Sequence, residues 1–290
     1  MHPVMLPGGL VSDINSCSRS DGLRGRGLWF DLQQMVLEQV EYRELLLQMT
    51  IRDLMLRYKQ TIMGFGWAVF MPLVNTVVFS VIFSRVAPLD PGVPYPLFAY
   101  CGLWAWNFFA SSLRFSVNSL TSNSTLVTKV YFPREIFPFS SVMVCLVDFG
   151  VGALVLAALM AYYKIHVSVA VVFLPIVLVI HVTFTAAVAL VLAMANLFYR
   201  DVKYLFDVAI TVWMFATSVL YPVQLVGGRL GVALQFNPMT PIIDGYRAVL
   251  LRGELPSAGP FLEATVVSIV ALATAWLLFH RAEFQFAEKI

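Results

Sequence analysis

Charge is scarce in this chain: Asp, Glu, Lys and Arg make up only 12% of its 290 residues, about half the share of an ordinary soluble domain. A surface this poor in charge cannot face water all round, which excludes a water-soluble globular protein. Cysteine is nearly missing as well. Cys17, Cys101 and Cys145 form no CxxC pair, so a disulfide scaffold is excluded. Cys101 and Cys145 lie in apolar runs, where small buried thiols are ordinary. The four histidines are scattered without metal-ligand spacing, and no GxxxxGK[ST] loop exists to cradle a nucleotide phosphate. Around His166 and His181 there is neither a carboxylate pair nor a Ser/His arrangement, which argues against a membrane-embedded transferase. Cys17 follows Ile-Asn-Ser, faintly like a lipoprotein cleavage site, but residues 1–27 lack the apolar core of a secretory signal. With its Gly, Ser and Arg24-Gly25-Arg26, the segment 1–35 is expected to be a disordered cytoplasmic lead.

Long apolar runs are what the chain does have, with a mean hydropathy of +0.80. A bilayer core takes about 20 apolar residues per helix. Runs at 62–86, 96–117, 136–163, 168–198, 204–224 and 261–279 meet or approach that length. The expectation is an all-α polytopic membrane protein with a six-helix domain over 62–290. Arg52, Arg57, Lys59, Lys129, Arg134, Arg200, Lys203, Arg281 and Lys289 gather at alternate ends, against only Arg85 and Lys164 in the short opposite loops. By the positive-inside rule both termini are cytoplasmic.

Two segments fit neither span nor loop. Residues 36–61 are too charged to cross, yet Val40, Leu47, Ile51, Leu54 and Tyr58 recur at helical spacing and Asp53 and Arg57 can pair at i,i+4. That pattern predicts an amphipathic interface helix, or one packed on a soluble partner. Residues 225–260 are too apolar for a solvated loop and are cut into short pieces by NPMTP and glycines. Short apolar pieces predict re-entrant or interfacial helices, which survive at membrane depth only against protein or a water-filled cavity.

Between the second and third runs comes a polar stretch, NSLTSNSTLVT, followed by KVYFPREIFP at 129–138. Phe132 precedes a proline and is pushed toward extended backbone. Pro133 suits the first turn of the next helix, Glu135 sits near that positive helix end, and Pro138 is expected to kink the helix at its start. The result is a stiff cytoplasmic elbow.

RDLMLRYKQTIMGFGWAVFMPL (52–73), KVYFPREIFPFS (129–140), NLFYRDVKYL (196–205) and NPMTPIIDGYRAVLLRG (237–253) together resemble the permease subunit of ABC transporters that export polysaccharides. That group carries O-antigen, capsule-like chains and teichoic acids. The resemblance runs from about residue 40 to the end. It implies two copies of the chain forming a channel, each pairing with a separate ATPase that carries ATP and Mg. No cofactor is implied in this chain, and no nucleic acid. A coupling helix is implied at 118–131 and outer gate helices at 225–260. On that reading Leu126 and Tyr131 anchor the helix in the ATPase groove, Lys129 and Arg134 steer the contact, and Pro133 and Glu135 stiffen and seat the joint. A teichoic-acid exporter, or a drug or lipid exporter, is the alternative within transporters.

Trp67, Trp104, Trp106 and Phe108 offer flat apolar faces on which a glycan could slide, although aromatics also gather as belts at membrane interfaces. Arg52, Arg57 and Lys59 suit a lipid-carrier phosphate, or simply mark the cytoplasmic face. Asp148, mid-span, is expected to meet a partner or water. Asp244 and Arg247, at i,i+3, can brace a gate helix.

Overall fold

The computed structural model describes residues 37, 39–59, 66–85, 92–129, 132–222 and 236–289. Of the small unit 1–42 only 37 and 39–42 are described, and 37 and 39–41 are helical. The remainder, from Arg43 onward, is one compact unit. The expected lead at 1–35 therefore lies outside the described residues, as does Tyr131.

Among the described residues every regular element is helical. The order is α1 (Arg43–Tyr58), α2 (Gly66–Arg85), α3 (Tyr95–Ser122), α4 (Ser124–Lys129), α5 (Ile136–Tyr162), α6 (Leu174–Phe198), α7 (Val202–Phe215), α8 (Met239–Arg247) and α9 (Ala258–Lys289). A 3-10 turn, Val169–Phe173, leads into α6, and a π turn, Ala248–Arg252, prolongs α8. Prolines punctuate the starts: Pro96 opens α3 and Pro175 opens α6, positions where a missing N–H leaves no helical bond unmade. The π turn is closed by Gly253 at φ 71°, with Ser168 Cβ 3.0 Å from where a side chain would begin, so only glycine fits without strain.

Among the described residues three helices are long and apolar enough to cross a membrane: Ile136–Tyr162, the run Val169–Phe198, and Ala258–Glu283. α3 is long but more polar. It packs against α2, α5, α6, α7 and α8, and Leu97, Tyr100, Phe109, Leu113 and Leu120 are fully buried along it. With protein on most of its sides, α3 can carry Asn107 and Ser111 within an apolar assembly, while Arg114 is exposed, 3.8 Å from Asp207 on α7.

Several boundaries differ from those read in the sequence. The run 204–224 yields a helix of 14 residues only, and the backbone from Ala216 to Tyr221 turns and bends. At a rise of 1.5 Å per residue that helix spans about 21 Å, short of a bilayer core. Residues 118–122 continue α3, so the separate helix at the elbow is only Ser124–Lys129. Pro138 is the third residue of α5, inside the first turn, and it has no ladder bond to break there. In 225–260 the described pieces are α8 and the π turn, both almost wholly buried.

Candidate functional site

A cavity of about 540 Å³ opens between α1, α2, α3 and α5. α3 gives it Trp104, Asn107, Phe108, Ser111 and Arg114. These recur every three or four residues, so they form one face of the helix, running about 15 Å from Trp104 to Arg114. α2 contributes Trp67, Met71 and Asn75, again one residue per turn. α5 supplies Cys145, Asp148, Phe149 and Gly152. The walls thus alternate aromatic faces with amide, hydroxyl and guanidinium groups.

Trp104 is held rigidly in its wall. Its ring stacks on Phe149 at 3.9 Å between centroids, and its Nε1 donates to the Phe149 carbonyl at 2.8 Å. Gly152 makes this possible: a Cβ there would lie 2.7 Å from Trp104 Cδ1. Trp67 is different, 42% exposed and touching Phe70 edge-on at 5.7 Å.

α1 closes one side of the cavity through charge. Arg57 Nη1 lies 2.6 Å from Asp148 Oδ2, and the Tyr58 hydroxyl donates to Asp148 Oδ1. Burial and that bond to a carboxylate push the Tyr58 phenol above its ordinary range. Arg57 also covers the Phe115 ring at 4.3 Å. One turn earlier, Ser140 donates to Asp53 Oδ2 at 3.0 Å, so the contacts advance in the same sense along α1 and α5. Arg52 reaches the elbow, donating to Asn123 Oδ1 at 2.9 Å and to Asp53 at 2.7 Å. The opposite edge of α1, with Leu47, Ile51 and Met55, stays exposed.

The expected i,i+4 pair of Asp53 and Arg57 is therefore replaced: Asp53 takes Arg52 and Ser140, and Arg57 takes Asp148. Arg52 and Arg57 both have partners inside the chain, while Lys59 is exposed. Trp67, Trp104 and Phe108 meet in the cavity wall, but Trp106 does not. Two residues along a helix from Trp104, it points the other way, 3% exposed beside Phe109. Leu126 is half-buried, Val127 buried, and the Lys129 side chain lies outside the described residues. Pro133 is half-buried just before α5. Arg134 and Glu135 turn inward onto α9 rather than outward: Arg134 bonds the Glu283 carbonyl, and Glu135 is 2% exposed beside His280.

At the Tyr95 end of α3 the broken terminus of α7 is clamped. Arg247, 2% exposed, donates to the Ser218 and Val219 carbonyls at 2.6 Å each and covers the Phe98 ring at 3.6 Å. Tyr95 donates to the Leu220 carbonyl at 3.0 Å. Asn237 donates to the Ala216 carbonyl at 3.1 Å and accepts from Trp213 Nε1 at 3.1 Å. The expected Asp244–Arg247 brace is not formed; Asp244 pairs with Arg252 at 3.0 Å, and Arg247 serves backbone carbonyls that no water could reach.

Asn75, Asn107, Ser111 and Arg114 were missed in the sequence reading. The signal was present: polar residues at turn spacing inside apolar runs, those of α3 on the same face as Trp104 and Asn75 on the same face as Trp67 and Met71.

The family model described as "ABC-2 type transporter" matches residues 44–251. An O-antigen export system permease protein, RfbA, of Myxococcus xanthus is 31% identical over 260 residues, covering 89% of this chain and 99% of that one. Two proteins of Klebsiella pneumoniae with the same name are 28% and 27% identical, each over 250 residues that cover 84% of this chain and 94% of theirs.

Proposed function

The chain belongs to the ABC-2 type transporter family, and on that premise we propose that it is the permease subunit of an ABC exporter of lipid-linked, O-antigen-like polysaccharide. It is a membrane protein of a transporter family, not of an enzyme family. The observation that carries the substrate class is the near full-length likeness to relatives named for O-antigen export. The cavity supports it independently: aromatic faces with interleaved amides and hydroxyls suit a chain of sugars, which offers apolar C–H faces and many hydroxyl groups.

The finer reading has six membrane crossings in the cytoplasmic membrane, with α7 and the bent backbone to Tyr221 together making the short fifth one, both termini inside, and two copies of the chain joining their cavities into one channel. A separate ATPase, two copies per transporter, binds ATP and Mg. Its groove takes the elbow at Ser124–Lys129, the segment that α1 grips through Arg52 and Asn123. α8 and the π turn, with Asp244 and Arg247, form the outer gate. α1 rests in the inner leaflet, its exposed Leu47, Ile51 and Met55 toward lipid.

Deleting the gene in its own cell tests the substrate. Surface polysaccharide should disappear while the lipid-linked glycan accumulates inside, and re-expression should restore export. Unchanged surface polysaccharide sinks the reading. For the elbow, Tyr131→Ala, made at normal abundance, should lose ATPase copurification or export more severely than Lys129→Ala, because aromatic anchors commonly carry about 2 kcal/mol or more and rim charges little.

A further inference from the structure

Where the elbow turns into α5 it meets the last turns of α9, and three metal-ligating side chains converge: Glu135, His280 and Glu283. We propose that they bind a divalent transition-metal ion of the zinc class, fastening the start of α5 to the end of α9. One donor atom from each residue lies within 4.8 Å of the others. The closer separations decide between a metal and a proton. His280 Nδ1 is 3.3 Å from Glu135 Oε1 and 3.7 Å from Glu283 Oε2. Those are long for charge-assisted hydrogen bonds, which close to about 2.7–2.9 Å. They match the edge of a tetrahedron around zinc, about 3.4 Å when ligands sit about 2.0–2.2 Å from the ion.

A second observation points the same way. The Glu135 carboxylate is 2% exposed, and its Oε2 is buried with no hydrogen-bond partner among the described residues. A buried carboxylate oxygen left so is costly unless a cation completes it. Arg134 does not do this, since its bonds go to Glu283: the backbone N–H donates to Oε1 at 3.2 Å and the guanidinium to the main-chain carbonyl. That leaves Glu283 Oε2 toward His280 and fixes the carboxylate's orientation, the usual duty of a partner behind a metal ligand. One imidazole with two carboxylates suits zinc, manganese or ferrous iron better than calcium or magnesium. His280 is 30% exposed, so the ion has a path to the cluster.

The test uses the full-length chain, purified in detergent with a tag that contains no histidine, stripped with chelator and titrated with Co²⁺ and then Zn²⁺. The expected result is a Co²⁺ visible absorption band saturating near one ion per chain, displaced by Zn²⁺. His280→Ala and Glu283→Gln should each weaken Zn²⁺ binding at least about tenfold, the smaller end of what even an indirect partner costs. His166→Ala, at an exposed loop position, should change nothing. Absence of the Co²⁺ band with the unaltered chain overturns the proposal, whatever the variants do. So does a band that His280→Ala leaves unchanged.

Discussion

One helix, α3, serves two regions of opposite character. At its Tyr95 end the neighbours are locked: a fully buried guanidinium, a phenol and an amide are committed to the carbonyls of a broken helix. From Trp104 to Arg114 the same helix lines an open cavity whose amides and hydroxyls are presented rather than consumed. The difference is one of hydrogen-bond accounting. Where backbone carbonyls are stripped of helix partners inside an apolar assembly, side chains must be committed to them. Where the helix ladder is intact, polar side chains remain available.

That contrast predicts which substitutions harm folding and which harm transport. The largest effect on stability belongs to Arg247→Met, which strips the Ser218, Val219 and Phe98 carbonyls of a donor, at about 1–3 kcal/mol for each of the two close bonds. Membrane abundance and thermal unfolding in detergent should both fall sharply, and lysine should not rescue, because it lacks the planar fork. A stable Arg247→Met protein would erase the contrast. Next comes Asp148→Asn. It leaves Arg57 half-buried without its counter-charge, expected to cost about 1–3 kcal/mol, between the values for exposed and buried pairs. Export should fall, and the exchange Arg57→Asp with Asp148→Arg should recover part of the stability.

The glycine pair in α5 is a finer probe. Gly152→Ala forces a methyl against Trp104 and should cost about 1–3 kcal/mol, whereas Gly150→Ala meets nothing within 4 Å and should stay within about 0.5 kcal/mol of the parent. Equal unfolding temperatures for the two would show that the Trp104 wall yields freely. Smallest in stability is Trp67→Ala, within about 0.5 kcal/mol at an exposed position, yet export should drop measurably. If export is untouched, Trp67 belongs to lipid rather than to the cavity.

How much of this was legible in the sequence follows the same division. The long runs that became α2, α3, α5, α6 and α9 were visible because hydrophobic burial writes itself into composition. The break after Phe215 was not, since ATSVLYP holds no charge or glycine and its proline comes only at 222. Arg247 looked like a partner for Asp244, three residues away, because local spacing is all a sequence displays. Its carbonyl partners lie on another element. Trp104 and Trp106 looked alike until helix phase put one in the cavity wall and the other beside Phe109. The Glu135–His280–Glu283 cluster joins residues from opposite ends of the domain, and only His280 and Glu283 are neighbours in sequence.

α1 holds Asn123 at the elbow with Arg52 and Asp148 in the cavity wall with Arg57, five positions apart on one rigid element. Along the covalent path from Asn123 to Asp148 the chain runs through 25 residues, including α4, the bend before Pro133 and about half of α5. Through α1 the same two points are joined by about 7.5 Å of helix. Elbow and cavity wall are thus tied together by a second, shorter connection that rests on two arginines.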